Sequence, residues 1–146
     1  MADLAVDTET RISLLSKQAC FVKLNAEEMQ VLAGLLLERK FKQGDVIVKE
    51  GDRVDSIYII VSGEADIEKA ENKDFPEQRE SIATLHAQDA IGLSKTRFYS
   101  SSGVRTATVV AKTDMVTLRL SVAAFHGFAL AYSHVIDVMR GYADLY

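Results

Sequence analysis

A roll or small barrel of short β-strands, with helices before and after it, is the fold class this chain predicts, and three observations carry that expectation. The middle of the sequence, FKQGDVIVKEGDRVDSIYIIVSGEADIEK, separates short Val/Ile/Tyr runs by Gly-Asp pairs. The stretches on either side of the β-region repeat apolar residues at three- and four-residue intervals. And 146 residues, 48% of them apolar, suit one compact domain with one real core.

Taken in order, the first element is an amphipathic helix from about Glu9 to Ala19, with Ile12, Leu15 and Ala19 on one face, closed by Phe21 and Leu24. Asn25 followed by Glu28 is a capping-box arrangement, so a second helix should run from about Ala26 to Leu37. Its Met29, Leu32, Ala33 and Leu36 share a face and read as core. Gly44, Gly51 and Gly63 each stand where a tight turn wants positive φ. AENKDFPEQRE holds the only proline and many charges, and reads as an exposed hairpin tip. ESIATLHA, RTATVVAK and DMVTLRLS supply the later strands. From Ser121, an N-cap, the pattern returns to helix, and Val135, Val138, Met139 and Tyr142 make an apolar stripe. The expected plan is a single domain over 1–146: helical from about 9 to 38, a β-roll from about 39 to 120, and helices from about 121 to 146.

Composition narrows the function. Net charge is −4, from 17 basic and 21 acidic residues, which gives no broad footprint for a nucleic-acid backbone; direct DNA or RNA binding is not expected. The uncharged stretch from Leu120 to Ile136 is broken by Ser121, His126, Gly127, Ser133 and His134 and falls short of a membrane span. The N-terminus carries acids where a signal peptide would carry basic residues, and Cys20 has no disulfide partner, so a reducing cytoplasm is expected. His86, His126 and His134 lack compact metal-ligand spacing, and no phosphate-loop, nucleophile-elbow or CxxC motif is present. Neither catalysis nor a metal is expected.

Five short motifs occur in order: F-x-x-G-D-x-I at Phe41 to Ile47, E-G-D at Glu50 to Asp52, Y-I-I-x-x-G-E-A at Tyr58 to Ala65, R-T-A-T-V at Arg105 to Val109, and Phe21-x-x-Leu24 ahead of them. Together they resemble the cyclic-nucleotide-binding domain of the catabolite-activator type, without its C-terminal helix-turn-helix. The resemblance implies a mainly β fold, an eight-stranded antiparallel jelly roll with flanking helices. It also implies a regulatory sensor that binds cAMP or cGMP between a phosphate-binding cassette and the last helix, and relays occupancy through that helix. The implied ligand-binding set is Gly92, Leu93, Ser94, Arg105, Thr106 and Ala107. Arg105 matches the family's phosphate-binding arginine, since a guanidinium holds two phosphate oxygens by charge-assisted bonds. Ala107 matches the position where backbone and ligand approach closely, and Thr106 one where a hydroxyl meets the phosphate or a purine edge. Without the family, Arg105 is a surface arginine opening a strand, and Thr106 and Thr108 are ordinary β-branched strand residues.

The departures from the family matter as much. The cassette usually opens Gly-Glu, the glutamate accepting from the ribose 2′-hydroxyl, whereas here Gly92 is followed by Leu93. Losing such a bond costs roughly 1.5–3 kcal/mol. The stretch from Gly92 to Arg105 is longer than usual and holds Lys95, Arg97, Phe98 and Tyr99, read either as added phosphate and base contacts or as a solvated loop. LHAQDAIG replaces the usual Gly-Pro-Gly turn with His86, Ala87 and Gln88, so a differently shaped turn is expected. The alternative function is an interaction or scaffold domain that kept the fold and lost the ligand. The stripe from Val135 to Tyr142 allows a homodimer, as in the resembling transcription factors, or a lid over the ligand, as in the channel and kinase modules.

Overall fold

The computed structural model describes residues 6–18, 21–92 and 104–135. Helix α1 spans Thr8–Ser16, and its N-cap is Asp7, whose carboxylate accepts the Thr10 N–H at 2.8 Å. Ala19 and Cys20 lie outside the described residues. Helix α2 spans Ala26–Leu35 and carries both halves of the capping box: Glu28 N–H donates to Asn25 Oδ1 at 2.8 Å, and Asn25 N–H donates to Glu28 Oε1 at 2.9 Å. Met29, Leu32, Ala33 and Leu36 are all buried, as their spacing requires. The helix ends before Leu37 because Leu36 turns extended and Leu37 is already paired with Arg119 in a sheet. Two carbonyls at this end, those of Ala33 and Leu36, accept from Arg11 Nη1 at 3.0 and 2.7 Å.

Eight strands follow: β1 Leu37–Phe41, β2 Val46–Val48, β3 Ser56–Ser62, β4 Ala65–Ala70, β5 Arg79–Leu85, β6 Ala90–Ile91, β7 Thr108–Ala111 and β8 Met115–Ser121, with α3 Val122–Ala131 after them. They form two four-stranded antiparallel sheets, ordered β1-β8-β3-β6 and β2-β7-β4-β5, in the jelly-roll arrangement. Gly63 turns β3 into β4 at φ +94, and a Cβ there would strike the Asp114 carbonyl and come within 2.8 Å of Met115 Cγ, so only glycine fits.

The first sheet has two buried faces. Ile57 and Ile59 of β3, with Leu118 and Leu120 of β8, pack against Leu15, Phe21, Leu32, Phe125 and Phe128 from the helical layer. Ile60, on the opposite face of β3, joins Ile47, Ala65, Ile91, Val109 and Met115 between the sheets. Ser121 caps α3 as expected, accepting the Ala124 N–H at 3.0 Å. Val135, first of the C-terminal stripe, is fully buried in the helix-side core; Val138, Met139 and Tyr142 lie outside the described residues.

The structure changes one local expectation in the β-region. The strand expected to begin at Arg105 begins at Thr108 instead, because Arg105 N–H donates to the Asp52 carbonyl at 2.8 Å and Gly51 N–H to the Arg105 carbonyl at 2.9 Å. That pairing ties Arg105 to the β2–β3 connection ahead of the β7 ladder, with Arg105 buried and Thr106 exposed. At the LHAQDAIG turn it is Gln88 that adopts the left-handed backbone, at φ 81.

Candidate ligand site

Between the sheets, where β6 ends and β7 has not begun, lies a cavity of about 350 Å³. Val48, Ile67, Leu85 and Val109 are among its apolar lining, and Gly92, Arg105, Thr106 and Ala107 line it too. That volume is within the range of small-ligand pockets. Four of the six residues the sequence singles out thus line one cavity. Leu93 and Ser94, and with them Lys95, Arg97, Phe98 and Tyr99, lie outside the described residues.

Arg105 dominates the site. It is 7% exposed, and its Nη2 donates to the Ser56 carbonyl at 2.7 Å. Its Nη1 is buried and has no hydrogen-bond acceptor among the described residues. Asp55 Oδ1 stands 3.9 Å from Nη2, while Asp55 Oδ2 is 3.7 Å from Arg119 Nη2, so one carboxylate is shared by two guanidinium groups. The Asp55 side chain is 72% exposed, and solvent screens it. Burial lowers the Arg105 pKa from the ordinary arginine value, opposed by the charge of Asp55. Arginine nonetheless keeps its proton across the physiological range. The result is a buried cation with an incomplete set of acceptors, a state that favours an incoming anion.

The backbone makes room for it. Gly92 has φ +93, and a Cβ at this position would come within 2.9 Å of Arg105 Nη1 and 3.2 Å of Ile57 Cγ2. The two threonines, equivalent in sequence, separate in space: Thr106 is exposed and lines the cavity, whereas the buried Thr108 hydroxyl accepts the Glu50 N–H at 3.0 Å.

Two contributions escape a reading of side-chain types. Ser56 serves Arg105 through its carbonyl, which any residue would supply. His134, singled out in the sequence only for lacking metal-ligand spacing, places Nδ1 2.7 Å from Oε1 of Glu28, a carboxylate only 2% exposed. Nothing in the sequence links two residues 106 positions apart. Among the described residues no group of three or more His, Cys, Asp or Glu could hold a metal ion. Nor, among them, is any helix long and apolar enough to cross a membrane.

This chain belongs to the cyclic nucleotide-binding domain family, whose model matches residues 38–132. A cAMP-dependent protein kinase regulatory subunit from Dictyostelium discoideum is 33% identical over 111 residues, 75% of this chain. The chain spans 32% of that relative's length. Among solved structures, the N-terminal domain of a transcriptional regulator from Streptomyces coelicolor has a TM-score of 0.74 at 21% identity, covering 90% of this chain and 87% of that one. The regulatory domain of Toxoplasma gondii protein kinase A, crystallised with cAMP, has a TM-score of 0.72 at 20% identity over 85% of this chain and 46% of its own. The regulatory subunit of a cAMP-independent protein kinase A from Trypanosoma brucei is 25% identical, with a TM-score of 0.67 over 94% of this chain and 47% of its own. These structural likenesses establish a shared fold.

Proposed function

We propose that this domain is a non-catalytic sensor of a cyclic mononucleotide, cAMP or cGMP, bound in the cavity at Arg105, with occupancy passed to the segment that follows the roll. The observation that carries the proposal is the buried guanidinium whose Nη1 has no acceptor among the described residues, at the wall of a cavity of about 350 Å³. A cyclic phosphate supplies the missing acceptor and a compensating charge, and the N–H groups and hydroxyl of Thr106 and Ala107 complete its cradle. The ribose and base then meet the apolar lining that includes Val48, Ile67, Leu85 and Val109. The cAMP-bound state of the Toxoplasma domain supports this class of ligand.

The relay follows from what Arg105 holds. Its Nη2 is fixed to the Ser56 carbonyl at 2.7 Å, and the neighbouring Asp55 carbonyl accepts the N–H of Val122, the first residue of α3, at 2.8 Å. A guanidinium that turns toward a phosphate loosens its bond to Ser56, and α3 is anchored one residue away. Beyond α3, His134 ties the chain to α2 through Glu28. Because Val135 is buried within its own domain, the intramolecular use of the C-terminal stripe is favoured over a homodimer. Light scattering at high micromolar concentration separates the two: a monomer supports the former, a dimer the latter.

Ligand-induced stabilisation tests the sensor. A ligand at about 100 times its Kd stabilises the native state by about 2.7 kcal/mol. Saturating cAMP or cGMP should therefore raise the unfolding midpoint clearly. No shift at millimolar concentrations of either would replace the sensor with the scaffold domain that keeps the fold alone.

A further inference from the structure

The mouth of the cavity carries more positive charge than a cyclic mononucleotide requires. Beside it runs a groove of about 450 Å³ that shares Val104, Arg105 and Thr106 with the inner cavity. Lys49 after β2, Lys69 of β4, Lys73 of the β4–β5 loop and Arg79 of β5 also line it. Arg79 is held by Glu68, Nε to Oε1, at 3.0 Å. Among the described residues Glu50 is the one acid lining the groove, and its Oε1 accepts the Ala70 N–H at 3.1 Å. Lys49, Lys69 and Lys73 make no ion pair among the described residues. A chain with a net charge of −4 thus brings Lys49, the β4–β5 hairpin's Lys69, Lys73 and Arg79, and Arg105 to one opening.

A cyclic mononucleotide carries one negative charge, which Arg105 meets, and the three lysines are left with no role in holding it. Lysines act on phosphate as mobile point charges, and several converging on one groove concentrate an anion there. We infer that this groove is a second phosphate subsite, and that the ligand class the protein recognises best is a nucleotide with two separate phosphate groups, one at Arg105 and the other among Lys49, Lys69 and Lys73. The inference rests on the sensor reading for the first phosphate and adds the second.

Calorimetric titration of the wild type with cAMP, adenosine 3′,5′-bisphosphate and cyclic di-AMP tests it, with Lys69→Ala/Lys73→Ala titrated in parallel. One charge-assisted phosphate contact corresponds to about tenfold in affinity. At least one two-phosphate probe should bind about tenfold tighter than cAMP, and this advantage should shrink as salt rises. The double variant should lose the advantage while binding cAMP as the wild type does. Which probe gains the advantage tells a linear from a cyclic ligand. Equal binding of all three probes, or a double variant that weakens cAMP as much as the others, overturns the subsite and leaves the sensor standing. If no probe binds, both readings fall together.

Discussion

Gly92 and Arg105 fit each other at a single point: a Cβ at residue 92 would come within 2.9 Å of the Arg105 Nη1. The glycine also has φ +93, a backbone conformation costly for any side chain. Gly92→Ala therefore combines backbone strain with displacement of the guanidinium. It should lower stability by about 1–3 kcal/mol and weaken cyclic-nucleotide binding, read by chemical denaturation and calorimetry. A variant with wild-type stability and affinity would mean that the close approach has no consequence.

Thr108, two residues after Thr106 in RTATVVAK, is committed to the Glu50 N–H at 3.0 Å. Thr108→Val keeps the shape and removes the acceptor, so a loss of about 1 kcal/mol is expected with little change in ligand affinity. Thr106→Val, at the exposed cavity edge, should show the reverse pattern. Denaturation and titration of both variants read the difference directly.

Gln88 holds the left-handed backbone of its turn at φ 81 with an exposed side chain. Gln88→Gly relieves that conformation, against the added freedom glycine gives the unfolded chain. A net gain of about 0.5–1 kcal/mol is expected in urea unfolding. A loss would show that the Gln88 side chain contributes more than the strain costs.

Much of this architecture is legible in the sequence because local signals and tertiary context agree. The capping box at Asn25 and Glu28, the glycines at 44, 51 and 63, and the buried stripe of α2 stand where spacing and turn chemistry put them. What is not legible depends on contacts between distant segments. The start of β7 is set by the backbone bonds Arg105 makes, donating to Asp52 and accepting from Gly51, which propensity cannot see through a Thr/Val run. Of the site, the motif R-T-A-T-V points to Arg105, Thr106 and Ala107, but the Ser56 carbonyl carries no side-chain signature. The lysine-lined groove is equally hidden, since its cations are scattered from Lys49 to Arg105 and diluted in an acidic chain.

The pairing of His134 with Glu28 is the clearest of these distant contacts. Glu28 is 2% exposed and His134 half-exposed, so removing the imidazole leaves a buried carboxylate with the Asn25 N–H as its remaining donor among the described residues. His134→Ala should destabilise the domain by about 1–2 kcal/mol, less than for a fully buried pair because solvent reaches the histidine. Hydrogen exchange should quicken at residues 133–135, whose helical turn the pair fastens to α2. His134→Gln, which can still donate, should recover part of the loss.

The central claim is that Arg105 is held buried and short of acceptors in order to receive a phosphate. Side-by-side calorimetric titration of wild type and Arg105→Ala with cAMP and cGMP tests it most directly. The account predicts saturable binding of at least one nucleotide to the wild type and an affinity lower by one to several decades in the variant, on the order of 1.5–4 kcal/mol, with both proteins folded. Equal affinity in the two proteins, or no binding to the folded wild type at millimolar ligand, would contradict it.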